Sequence, residues 1–419
     1  MKKRIVIVCV CMLLTVPVLT AGAYPHLIFR SDSLVKNGAY STGPVAINSW
    51  TKTFGGWRRD AGFSIQQTMD GGFIIVGVTE SYGAGKNDVW LIKTDSSGDK
   101  SWDKTFGGTD RDFGNSVQQT KDGGYIIAGE TRSYGNGLDD VWLIKTDSDG
   151  EMIWDTTFGY DDSDSASQVR QTNDGGFIIV GDVNNNGGGV SDVWVIKTDT
   201  NGEMVWNRTF DGKGKPISHD YGTSIALTSD GGYIITAATF TTQDTYGYNI
   251  WLIKIDENGN TLWDKNIGGA DGEYISSVIQ TNDGGFVMVG VDSYSNSNES
   301  LWILKTDGNG EFLWEQKYTG VGMARGESIQ QTSDGGYIVV GFTYTKYTRY
   351  RALIIKTDSD GEYEWSSIHF SWLGNCIAFS VQETSDGGYI VVGDRRVLFK
   401  TMNLWLLKLY YGDGGGEKK

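Results

Sequence analysis

The chain has 419 residues, 39% hydrophobic and 21% charged, with a formal net charge of −16 and three cysteines. That acidity opposes nonspecific binding to nucleic acid and to anionic membranes. Three cysteines exclude a disulfide-stapled scaffold, and a chain this long can bury a core without one.

Met1-Lys2-Lys3-Arg4 precede an apolar run from Ile5 to Leu19, followed by Ala21-Gly22-Ala23. A basic start, a short apolar run and an A-x-A step predict a secretory signal peptide over residues 1–23, cleaved after Ala23. Pro17 and the shortness of the run argue against a membrane anchor, which needs about 20 apolar residues. Cys9 and Cys11 lie too early in the run for lipid attachment. No later stretch could span a membrane, so the mature chain is expected outside the cell or at its surface. Cleavage would remove three positive charges, taking −16 to −19, and would leave Cys376 as the one cysteine. Residues 24–48 read as an N-terminal extension and residues 411–419 as a flexible Gly-rich tail.

From Trp50 onward the chain repeats. Asp-Gly-Gly begins at Asp70, Asp122, Asp174, Asp230, Asp283, Asp334 and Asp386, at spacings of 52, 52, 56, 53, 51 and 52. A strand core like Val89-Trp90-Leu91-Ile92-Lys93 recurs in step, centred on Trp142, Trp194, Trp251, Trp302, Leu353 and Trp405. So does a lone tryptophan, at Trp50, Trp102, Trp154, Trp206, Trp263, Trp314 and Trp365. Each unit reads as four short strands, A to D, rich in Val, Ile and aromatic residues and punctuated by Gly, Asp and Asn. In the second unit they are expected near Asn115–Thr120, Gly124–Glu130, Asp140–Thr146 and Met152–Phe158. No stretch has a helical period. Seven such units predict an all-β fold, a seven-bladed β-propeller over residues 49–410. The order is permuted: the chain opens with a D-type strand, Trp50–Phe54, and ends with a C-type strand, Leu404–Leu409. The first strand is therefore expected to complete the seventh blade and close the ring.

Gly-Tyr-Ile-Ile-Ala-Gly at 124–129, the Asp-rich turn and the D-strand Trp154 resemble kelch repeats. The whole is similar to the repetitive secreted propellers of bacteria and archaea, whose likeness to quinoprotein propellers is architectural. The paired glycines precede strand B here, where kelch places them after it. The resemblance implies the fold and supplies no cofactor residues, so no cofactor is expected.

The two faces of such a ring differ. The A–B and C–D turns, on one face, are nearly identical from unit to unit. The B–C and D–A loops, on the other, vary in length and chemistry, and variable loops on a rigid scaffold are where function is usually placed. The C–D turns, such as Asp147-Ser-Asp-Gly150, invite a calcium reading, but the distant bidentate Glu of an EF-type loop is missing. They read instead as hairpins in which Asp accepts backbone N–H bonds and Gly takes positive φ. They also resemble sialidase Asp-boxes, with a longer spacing from Asp to Gly to Trp. Thirteen of the fifteen tryptophans hold repeat positions and read as packing. Trp57 and Trp372 do not, and both fall in D–A loops. Basic residues gather in the same sector: Arg58 and Arg59 before blade 1, Arg325, Lys346, Arg349 and Arg351 in blade 6, and Arg395, Arg396 and Lys400 in blade 7. Tyr344, Tyr347 and Tyr350 are interleaved. Asp110, Asp112, Asp139, Asp161, Asp162 and Asp164 occupy equivalent loops across the ring. Arginines and aromatics anchor binding sites. A site for an acidic glycan or other anionic partner is therefore expected over blades 6, 7 and 1.

Catalytic chemistry has less support. His26, His219 and His369 form no recurring set, which leaves no His₃ or copper site and no predicted metal. The leading expectation is a secreted binding module. A carbohydrate-active hydrolase or lyase using the same face and a structural envelope protein are the alternatives.

Overall fold

The computed structural model describes residues 35–36, 39–40 and 46–411, apart from 185–189, 213–218, 241–247, 269–271, 293–298, 319–321, 346–348, 372–373 and 397–400. Seven four-stranded antiparallel sheets follow one another along the chain. The second blade is Asp112–Gln119, Tyr125–Thr131, Asp140–Thr146 and Met152–Phe158, strands A to D. Strand A starts three residues earlier than the sequence suggested, because Asp112-Phe113-Gly114 is already extended ahead of a bulge between Gly114 and Ser116. The same bulge recurs in strand A of every blade. Among the described residues no helix is long and apolar enough to cross a membrane.

Strands B and C read as unbroken apolar runs because both their faces are covered. Phe73–Thr79 and Asp88–Thr94 of blade 1 are buried at every position. The core is divided into seven clusters, one in each wedge between neighbouring blades. A tryptophan from strand D packs into each wedge, and in six of the seven it meets the aromatic residue that opens strand B of the next blade. Trp102 packs on Tyr125 at 5.9 Å and Trp314 on Tyr337 at 6.1 Å. The tryptophan also covers the glycine of the next C–D turn. Gly98 has φ of 74°, and a Cβ there would lie 2.5 Å from the Trp50 ring, so backbone and packing both demand glycine.

The C–D turns are hairpins in which the aspartate accepts backbone N–H groups. Asp95 Oδ1 accepts the N–H groups of Ser97 and Asp99, each at 2.9 Å, and Gly98 follows at a φ of 74°. In each blade a buried strand-C lysine reaches the A–B turn. Lys93 Nζ donates to Asp70 at 2.8 Å and to the Thr94 carbonyl at 2.9 Å. Lys145, Lys197, Lys254, Lys305, Lys356 and Lys408 repeat the arrangement with Asp122, Asp174, Asp230, Asp283, Asp334 and Asp386.

The seventh sheet is completed from the other end of the chain. Ala46–Phe54 pairs with Met402–Tyr411, with Trp50 opposite Lys408 and Phe54 opposite Leu404. Trp405 Nε1 donates to Thr51 Oγ1 at 2.9 Å across the junction. Trp50 and Phe54 pack on the wedge between blades 7 and 1.

Removing residues 24–56 strips this strand and its two aromatics. The product is expected to aggregate or to melt far below the full chain, and an unchanged melting temperature would refute the closure. A second expectation concerns pH. Burial raises the Asp70 carboxyl, but bonds from Lys93, Thr68 and the Gly72 N–H overcome it and hold its pKa at about 2; Asp174, Asp230 and Asp283 behave alike. Unfolded aspartates titrate near 3.9, so this stabilisation is lost as pH falls from about 4 to about 2. Burial works the other way on Glu130 and Asp394, pushed up to about 7, and on Asp140, pushed up to about 6. Those groups retain protons when folded that the unfolded chain has released, so stability falls as pH rises from about 4 to about 7. In EDTA the melting temperature should therefore peak between about pH 4 and 5. A calorimetric maximum above pH 7 would contradict this balance.

Candidate functional site

The loops of the variable face are tied down by a carboxylate at the start of strand A. Asp60 accepts the Gly56 N–H at 2.8 Å, the Thr79 hydroxyl at 2.5 Å and the Ser81 hydroxyl at 2.7 Å. Asp112 does the same for Gly108 and Ser133, and Asp164 for Tyr160 and Asn184. Asp112 and Asp164 are thus buried loop anchors rather than surface charge. Asp110 pairs with Lys86 at 3.0 Å and Asp139 with Arg132 at 2.8 Å. The acidic sector read from the sequence is correspondingly weaker on the surface.

The basic sector divides into two parts. Trp57 is 74% exposed at the entrance to blade 1, next to the exposed Arg58 and Arg59. Arg396 is exposed at the end of strand B of blade 7, the adjoining blade, and Arg59 lies close enough to Asp394 to act on its charge. Among the described residues Arg58, Arg59 and Arg396 have no ion-pair partner. Arg395 is half-buried and donates to the Phe370 carbonyl at 3.2 Å, which pins the loop between blades 6 and 7.

The second part is in blade 6. Arg325 forms two hydrogen bonds to Glu299, at 2.7 and 2.6 Å, and Tyr344 donates to the same carboxylate at 2.8 Å. Tyr344 and Tyr350 lie 5.0 Å apart, with Phe342 edge-on to Tyr350 at 5.2 Å. These contacts commit Arg325, Tyr344 and Tyr350 to one packed cluster. Arg349 is exposed beside them. Lys346, Tyr347, Trp372 and Lys400 lie outside the described residues.

A cavity of about 330 Å³ opens beside this cluster, lined by Tyr221, Tyr248, Tyr274, Ser276, Val291, Arg325, Gly326 and Glu327. Tyr221 and Tyr248 meet edge-to-face at 6.1 Å. Glu327 also lines the central channel, a space of about 380 Å³ walled by the seven A strands. Burial pushes its carboxyl up to about 7, with Arg325 partly opposing. It is therefore divided between its protonated and ionised forms near neutral pH. In the same channel burial lowers Arg170 to about 10, and its Nη1 donates to the Val169 carbonyl at 2.9 Å.

Sequence reasoning missed Tyr221, Tyr248, Tyr274 and Glu327 because they are strand residues, not loop residues. Comparing units would have flagged Glu327, since Phe63, Asn115, Ser167, Thr223, Ser276 and Phe379 hold its place elsewhere.

Solved structures share this architecture at low identity. An ulvan lyase of polysaccharide lyase family PL25 gives a TM-score of 0.56 at 13% identity, over 84% of this chain and 95% of that one. A protein of unknown function from Dyadobacter fermentans gives 0.52 at 8% identity, over 88% and 99%. The WD40 domain of Neurospora crassa Pan2 gives 0.50 at 14% identity, over 84% and 89%. What these proteins share with this chain is the fold. No family model and no curated protein matches the sequence.

Replacing Glu327 with Gln removes a half-buried charge that is present above about pH 7. The melting temperature of Glu327→Gln is expected to exceed that of the parent at pH 8, by on the order of 2 °C, and to match it at about pH 4. Equal melting at both values would place the carboxyl in an ordinary solvated setting.

Proposed function

We propose that the chain, exported and freed of residues 1–23, is a binding propeller that takes an acidic glycan on its B–C/D–A face. The observation that carries this reading is the exposed Trp57 next to Arg58 and Arg59, with the exposed Arg396 on the adjoining blade; among the described residues none of the three arginines has an ion pair, on a protein of net charge −16. Arginines without a protein partner that gather at one blade junction, rather than scattered over so acidic a surface, suit a carboxylated or sulfated ligand. A guanidinium grips such a group through two parallel hydrogen bonds, and an exposed indole offers a flat apolar face to a sugar ring. Arg349 and Arg395 extend the proposed site around blades 6 and 7.

A second reading, a carbohydrate-active enzyme, is favoured by a different observation. The tyrosine-lined cavity contains a carboxyl poised near pH 7 and an arginine held in a fixed orientation by Glu299. One structural neighbour is a polysaccharide lyase.

The test is a binding screen of residues 24–419 against acidic and neutral polysaccharides at low and moderate salt. It is run beside a variant carrying Arg58→Ser, Arg59→Ser, Arg395→Ser and Arg396→Ser. Salt-sensitive binding that weakens at least tenfold in the variant is expected. Undiminished binding in the variant would remove the site from blades 7 and 1. Release of unsaturated or reducing ends, abolished by Glu327→Gln but kept by the arginine variant, would establish the second reading in place of the first.

A further inference from the structure

Where blade 3 passes into blade 4, three carboxylates converge. Asp192 opens strand C of blade 3, Asp211 directly follows its strand D, and Asp220 opens strand A of blade 4. One oxygen from each lies within 4.8 Å of the other two. Two of the three belong to the repeat, since Asp88 with Asp112 and Asp140 with Asp164 hold the same places at the preceding junctions.

Asp211 does not belong to it. Gly55, Gly107, Gly159 and Gly268 stand at this point after other D strands. The reason for glycine is visible at Gly107, where an added Cβ would lie 2.4 Å from an Asp88 oxygen and 2.7 Å from an Asp112 oxygen. The position is the gap between two carboxylates. At this one junction the sequence has inserted a third.

Asp192 supplies an independent observation. It is only 8% exposed, yet no donor among the described residues reaches its carboxylate. Asp88, in the equivalent place, accepts the Gly85 N–H at 3.1 Å and the Ala84 N–H at 3.3 Å. A carboxylate on a largely buried residue that no described donor reaches, facing two further carboxylates, is unfavourable unless positive charge is supplied.

We propose that Asp192, Asp211 and Asp220 bind one hard divalent cation of the calcium class. An all-oxygen, all-carboxylate donor set selects such a cation over zinc or copper, which favour nitrogen and sulfur. Asp211 is exposed, so water completes the coordination on the outer side. Asp220 also accepts the Gly212 N–H at 2.8 Å, so the cation would fasten the D–A loop between the two blades. Tyr221, the next residue, lines the tyrosine cavity, and the same fastening would brace one wall of that cavity. The site lies apart from the C–D turns, whose aspartates are occupied by backbone N–H groups.

The test uses the full chain stripped with EDTA and titrated with CaCl₂, followed by calorimetry and by thermal melting. One Ca²⁺ per chain and a higher melting temperature are expected. Asp211→Gly restores the residue of the repeat and so preserves the fold. It should weaken Ca²⁺ binding at least tenfold and abolish the thermal shift, and Asp192→Asn should do the same. Asp161→Asn, an exposed acid of the preceding D–A loop, should bind as the parent does. No heat and no thermal shift in the parent would overturn the proposal, as would undiminished Ca²⁺ binding by Asp211→Gly.

Discussion

The pairing of Ala46–Phe54 with Met402–Tyr411 is the constraint on which everything else rests. A propeller has no single core. Its apolar residues lie in seven wedges, and each wedge exists only while both its blades are in place. An open ring would leave the faces of blades 7 and 1 bare, with Trp90, Ile390 and Leu404 on the exposed surfaces. Closure by the far end of the chain converts seven weakly coupled sheets into one cooperative body. The contact that does so is the one repeated around the ring: a D-strand tryptophan on the next blade's strand-B aromatic, here Trp50 on Phe73 at 6.1 Å.

The turn face and the loop face use the same residue types for opposite ends. On the turn face, aspartate meets lysine in every blade, and the seven pairs leave a surface that is uniform and electrically satisfied. On the loop face, the aspartates that anchor the loops do so without lysines. The anchor carboxylates Asp60, Asp112 and Asp164 hold their loops through neutral N–H and O–H donors. Burial raises the pKa of neighbours such as Asp140, which also faces Asp164. The loop face is therefore the electrostatically strained side of the ring, and it is also the side whose loops vary.

Most of the fold was legible in the sequence because the repeat samples the same physics seven times. The Asp-Gly-Gly spacing, the two tryptophan positions and the permuted first strand specify blade number, strand order and closure. What escaped was pairwise. Nothing in the sequence of Arg325 announces that Glu299, 26 residues earlier, will hold it at 2.6 Å. Nor does the repeat reveal that Asp112 and Asp164 face inward, since aspartate at a loop edge reads equally as solvated charge. The tyrosine cavity depends on three side chains from two blades, a convergence that linear spacing does not encode.

The repeat is informative in a second way, through its exceptions. A position that six blades fill with residues serving the fold can change only where the fold tolerates it. A change that costs stability needs another reason to persist. Glu327 puts a carboxyl in a channel position held elsewhere by Phe, Asn, Ser or Thr. Asp211 puts a charge where glycine relieves the approach of two others. Trp57 exposes an indole where Thr109 and Asp161 follow the corresponding D strands. Each works against local stability or solubility. All three stand on the channel or loop side of the ring, none at the uniform turns. That distribution is what a scaffold conserved by packing and a face shaped by binding would produce.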